Sequence, residues 1–164
     1  MKLTDVALDR IKMVIFDFDE TLALHKDKEY TKHRGESDAA FAEFFATAYQ
    51  TPEGFYDTVE PCERNEALFS FIAELRARKI KMYCLSGMKY SFHFKAKQRF
   101  LETHYGQDIE LLATASQELK LNCIKVLQRM NNCRLDEILF VDDRRDVIEL
   151  LEKNGIQGIL AADC

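Results

Sequence analysis

Five short, mostly apolar runs recur along the chain: MVIF (13–16), IKMYCL (80–85), IELLA (109–113), EILFV (137–141) and GIL (158–160). They lack the strict polar–apolar alternation of a strand with one wet face. Such runs suit strands covered on both sides, the pattern of a parallel sheet. Longer amphipathic stretches lie between them. Asn65–Lys79 places Leu68, Ile72 and Leu75 on one stripe, flanked by Phe69 and Phe71. Ser91–Tyr105 is helical by composition, with Gly106 as its C-cap. Gln117–Met130 carries Leu119, Cys123, Val126, Leu127 and Met130, and Asp146–Asn154 carries Val147, Leu150 and Leu151 ahead of Gly155. Strand and helix alternating at this spacing predict an α/β chain of right-handed βαβ units. The expected result is a three-layer, Rossmann-like fold around a central, mostly parallel sheet.

A chain of 164 residues, 47% hydrophobic and 31% charged, is one domain with an ordinary core. Residues 22–62 interrupt the alternation. They hold SDAAFAEFFATAY, an amphipathic helix with Ser37 as N-cap, and a turn-rich link around Pro52, Gly54 and Pro61. The segment reads either as a small helical insertion above the sheet, a possible cap, or as a first crossover with an extra helix. A formal net charge of −5 argues against general binding to nucleic acid or to an anionic membrane. The N-terminus has no apolar signal-type region, and no run approaches a membrane span. Five cysteines without a CxxC pair read as reduced thiols, which suits the cytoplasm. Nothing in the sequence fixes an oligomeric state.

In open α/β sheets, ligands bind outside the carboxyl ends of the strands. The first run ends in Asp17 and Asp19, the second in Ser86 and Gly87, the fourth in Asp142 and Asp143, with Asp146 close behind. Lys120 opens the helix before the fourth strand; Lys125 lies a turn and a half further on. Clustered carboxylates repel one another and are costly to bury without a cation. With no nearby Cys or His, they suit Mg²⁺ rather than Zn²⁺. A serine hydroxyl, the Gly87 N–H and a lysine can complete a cradle for a phosphoryl group. Of two acids spaced i and i+2, one can attack phosphorus and the other can move protons. Both tasks need the groups on the same side of the chain, which the two-residue spacing supplies.

DFDETL (17–22) resembles the DxDxT first motif of the haloacid dehalogenase (HAD) superfamily, LSG its second at Ser86, Lys120 its third, and VDDRRD its acidic fourth. The motifs run in order across residues 10–160. The resemblance implies a HAD-like phosphatase with a minimal cap or none. It implies Asp17 as nucleophile, Asp19 as acid and base, and Ser86, Gly87 and Lys120 as phosphate ligands. It also implies Mg²⁺ held by Asp17, the Asp19 backbone carbonyl and the acidic fourth motif. There Asp142 is the favoured direct ligand, with Asp143 also in the metal set and Asp146 behind them or bridged by water. The second acid at Asp19 favours phosphoryl chemistry over dehalogenation.

The expected reaction is Mg²⁺-dependent hydrolysis of a phosphate monoester, with a phosphorylated small molecule as the partner. A receiver-like signalling domain, a non-catalytic phosphate- or partner-binding domain and a phosphotransferase are the alternatives. In receivers the acid pair follows the first strand and the phosphorylated Asp a middle one, an order this chain lacks. The basic stretch HKDKEYTKHR (25–34) reads as a solvated loop or as a recognition element for the rest of the substrate. His93 and His104 are expected at the surface.

Overall fold

The computed structural model describes residues 3–34, 36–37, 39–41, 43–44, 59–88, 91–116 and 119–164. Its elements, in order, are β1 (Met13–Phe16), β2 (Ala23–His25), α1 (Lys28–Arg34), β3 (Val59–Pro61), α2 (Glu66–Ala77), β4 (Lys81–Gly87), α3 (Ser91–Tyr105), β5 (Ile109–Thr114), α4 (Lys120–Met130), β6 (Ile138–Asp142), α5 (Arg145–Glu152) and β7 (Gln157–Leu160). Five strands form one sheet in the order β5-β4-β1-β6-β7, and each neighbouring pair is parallel.

Burial on both faces accounts for the lack of alternation. Val14, Phe16, Met82, Cys84, Leu139 and Val141 turn to one face and pack with α2 and α3. Met13, Ile15, Tyr83, Leu85, Ile138 and Phe140 turn to the other and pack with α4 and α5. A strand whose odd and even residues are both buried must be apolar throughout. Strand order reverses beside β1, where β4 lies on one side and β6 on the other. This is where ligands of open sheets bind.

Local signals hold at the helix ends. The Asn65 side chain caps α2 by accepting from the Leu68 N–H at 3.1 Å. Gly106 and Gly155 take φ of +82° and +80° after α3 and α5, backbone that a side chain would strain. Ser37 Oγ accepts from the Ala40 N–H, as an N-cap does; residues 38, 42 and 45–49 of the helix expected there, and Pro52 and Gly54 of the link expected after it, lie outside the described residues.

Three-residue strands β2 and β3 pair antiparallel, Ala23 opposite Pro61, a ribbon that no sequence period announces. Tyr105, buried at the end of α3, donates to the Leu22 carbonyl at 2.6 Å and accepts from the Cys62 N–H at 2.8 Å. All five cysteines are free. Among the described residues, no helix is long and apolar enough to cross a membrane.

Candidate active site

Strand β1 ends at Phe16, so Asp17 and Asp19 stand in the turn beyond it, and strand alternation does not govern them. Each goes to a different lysine. Lys120, the first residue of α4 and 1% exposed, donates to Asp17 Oδ1 at 2.6 Å and to Asp142 Oδ2 at 2.8 Å. Lys97 of α3, equally buried, donates to Asp19 Oδ2 at 2.6 Å and to Ser86 Oγ at 2.8 Å. The two ammoniums arrive from opposite layers and meet over the strand ends.

Asp17, Asp142 and Asp143 each offer a carboxylate oxygen within 4.8 Å of the others. Asp142 is the last residue of β6, and its two oxygens already accept from Lys120 and from the Arg144 N–H. Asp143 pairs through Oδ2 with Arg34, while its Oδ1 is buried with no hydrogen-bond partner among the described residues. An orphaned carboxylate oxygen in an all-oxygen group fits a hard cation. Asp142 and Asp143 both belong to this group, and Asp143 Oδ1 is the oxygen in it left without a hydrogen-bond partner among the described residues. Asp146 turns outward to Arg144 at 2.8 Å and lies outside the group.

Electrostatics follow the contacts. Burial, with Asp17 beside it, pushes the Asp142 carboxyl up to about 7 against the pull of Lys120. Burial likewise pushes Asp143 up to about 6, partly offset by Arg34. Burial opposes the charged Lys120, but Asp17 and Asp142 outweigh it and hold its pKa well above the ordinary lysine range. Burial also acts against ionised Asp19, yet Lys97 and His25 hold its carboxyl far below the usual range.

The stretch 25–34 is more than a solvated loop. His25 Nε2 lies 3.0 Å from Asp19 Oδ1, and its ring stacks on Tyr30 at 3.6 Å between centroids. Arg34, one turn after Tyr30, donates to the Tyr30 hydroxyl at 2.9 Å and pairs with Asp143. Leu24, Tyr30, Arg34, Asn65, Asp143 and Ala161 line part of a cavity of about 500 Å³ beside the acids. Gly87 ends β4 opposite Thr114.

Sequence reasoning missed Lys97 and misplaced His93, which is buried rather than at the surface. Both occupy the buried stripe of α3, with Ala96, Phe100, Leu101 and Tyr105 at helical spacing. A lysine in phase with an apolar stripe is the signal that was available. His104 is exposed, as expected.

A parallel five-stranded sheet between two helical layers, with acids after β1 and β6, is the HAD-like, Rossmann-type fold. Solved structures share it. The N-terminal part of protein BF1531 from Bacteroides fragilis, containing a phosphatase domain complexed with Mg, is 18% identical with a TM-score of 0.54, over 91% of this chain and 35% of that one. This chain thus spans about a third of that protein's. The HAD family enzyme BT-2542 from Bacteroides thetaiotaomicron, in complex with magnesium and inorganic phosphate, is 15% identical with a TM-score of 0.54, over 92% of this chain and 93% of that one. No family model and no curated protein sequence matches the chain.

Proposed function

We propose that the chain is a Mg²⁺-dependent phosphatase that hydrolyses a small phosphate monoester through an aspartyl-phosphate on Asp17. The observation that carries this reading is the buried Lys120 ammonium held between Asp17 and Asp142 at the point where strand order reverses. A lysine there restrains the acid that attacks and offers a cation to the incoming phosphoryl oxygens. Asp17, Asp142, Asp143 and the Asp19 carbonyl would hold Mg²⁺. When bound, the ion neutralises phosphoryl charge and quenches repulsion between the carboxylates. The neighbours complexed with Mg, and in one case with phosphate, support the same reading.

In the first half-reaction a carboxylate oxygen of Asp17 bonds to phosphorus as the ester P–O bond breaks. Asp19 takes up the proton that the ester monoanion carries in and passes it to the leaving oxygen. In the second half Asp19, now the carboxylate, takes a proton from water, whose oxygen attacks phosphorus and frees Asp17. The resting structure holds Asp19 in the carboxylate form, the form the second half uses. Ser86 and the Gly87 N–H bind phosphoryl oxygens. Residues 22–62 act as a small cap, since α1 brings Tyr30 and Arg34 to the cavity. A volume of about 500 Å³ suits a small-molecule leaving group.

Phosphate release from p-nitrophenyl phosphate tests the reading, with Mg²⁺ against EDTA and with Asp17→Asn as the control. Release that requires both Mg²⁺ and Asp17 is the expected result. Equal turnover in EDTA, or in Asp17→Asn, would refute it.

A further inference from the structure

Lys97 has no place in the four motifs, yet it is among the most deeply buried cations of the described chain, 1% exposed on the apolar stripe of α3. An ammonium is expensive to remove from water, and only close partners offset that. Lys97 has three: Asp19 Oδ2 at 2.6 Å, Ser86 Oγ at 2.8 Å, and the face of Phe18, 4.5 Å from Nζ to the ring centroid.

Donor and acceptor rules give these contacts a direction. An ammonium can only donate, so the bond to Ser86 runs from Lys97 to the serine oxygen. A hydroxyl carries one proton and two lone pairs. With a lone pair committed to Lys97, the Ser86 proton must point elsewhere, and no acceptor for it occurs among the described residues. Ser86 stands at the end of β4, next to the strand that delivers Asp17. Lys120 cannot supply this control, because its bonds go to Asp17 and Asp142 in the other half of the site.

We infer that Lys97 is a positioning residue: by donating to Ser86 Oγ and Asp19 Oδ2 together, it fixes the serine hydroxyl as a donor aimed at a bound phosphoryl oxygen and locks that donor to the second acid. The inference rests on the phosphoryl-binding reading above. It gives the site two lysines with separate tasks. Lys120 serves the attacking acid, and Lys97 serves the phosphate-binding hydroxyl.

The test is calorimetry of inorganic phosphate binding in Mg²⁺ for the wild type, Lys97→Met, Ser86→Ala and the double variant. A charge-assisted hydrogen bond of this kind corresponds to about a tenfold loss or more in each single variant. Because Lys97 acts through Ser86, the double variant should bind no more weakly than the poorer single, within about twofold. Losses that multiply would show that Lys97 acts by its charge alone, and phosphate affinity unchanged in Lys97→Met would show that it does nothing; either overturns the inference. Mg²⁺ affinity should stay near wild type in all variants. If Lys97→Met does not fold because Asp19 is left unpaired, the comparison moves to Asp19→Asn against Asp19→Asn/Lys97→Met, where no carboxylate is stranded. The same tenfold loss is expected there, and equal affinities overturn the inference. A wild type that binds Mg²⁺ but no phosphate would instead sink the phosphatase reading, and this inference with it.

Discussion

Tyr105→Phe isolates the energetic weight of one hydroxyl. The ring is buried, and its oxygen donates to the Leu22 carbonyl at 2.6 Å while accepting from the Cys62 N–H at 2.8 Å. Phenylalanine keeps the ring and its packing but strands both backbone groups in the core. A buried polar group left without a partner costs about 1–3 kcal/mol. Two such groups, lessened by some relaxation, give about 2–4 kcal/mol. That is a large part of the roughly 5–15 kcal/mol that holds a domain together. For a chain of this size each kcal/mol lowers Tm by about 2–4 °C, so a fall of roughly 4–16 °C is expected. Scanning calorimetry on wild type and variant, at one pH and with the same Mg²⁺, measures it. Because Leu22 directly follows DFDET, amide exchange at residues 18–23 should also quicken. A Tm within about 2 °C of wild type would refute the reasoning and mean that water or another group satisfies Leu22 and Cys62.

The acids give a pH signature. Burial in the metal-free fold pushes the Asp142 carboxyl up to about 7 and the Asp143 carboxyl up to about 6, above the ordinary 3.8. Between about pH 4 and 7 the folded chain therefore holds protons that the unfolded chain has released, so these groups make metal-free stability fall as pH rises. The depressed Asp19 acts below that window, where its contribution is lost only in acid. Melts in EDTA should thus be lower at pH 7.5 than at pH 5, with Mg²⁺ raising Tm more at pH 7.5; the opposite order would contradict the burial of the pair. In Mg²⁺ titrations, Asp143→Asn should weaken binding at least about tenfold and Asp146→Asn should leave it within about twofold; the reverse would mean the acidic motif is misaligned. Rapid quench with labelled substrate should find no phospho-enzyme in Asp17→Asn. It should find accumulated phospho-enzyme in Asp19→Asn, whose turnover falls about 10²–10⁴-fold; label on Ser86 in place of Asp17 would overturn the assignment.

The sheet was legible because burial on both faces leaves an unmistakable mark. MVIF and EILFV could not be half-wet strands, and both lie inside the sheet. The ends of those strands were legible as places where acids collect. The partners of the acids were not. Lys97 lies between Lys95 and Arg99, and a lysine among cations reads as solvated until helical phase is counted. Tyr30 and Arg34 reach the site only because α1 folds back over it, a tertiary fact with no local trace. Strands β2 and β3 are three residues each, too short for any period to register. That Asp143 keeps one buried oxygen unpartnered while both oxygens of Asp142 accept hydrogen bonds is likewise a matter of tertiary contacts that spacing does not carry.

The β2–β3 ribbon sets how this chain can vary. Because Ala23 faces Pro61, the polypeptide leaves the core and returns to it at adjacent points. The span between them begins with α1, and closing such a span costs only about 0.6 kcal/mol more for each doubling of its length. Segments of very different size can therefore be spliced between Phe44 and Val59 without disturbing the sheet or the Arg34–Asp143 pair. The covering of the site and the stability of the fold become separable, and this docking point is where recombination, natural or designed, can refit the same acidic floor with a new cover.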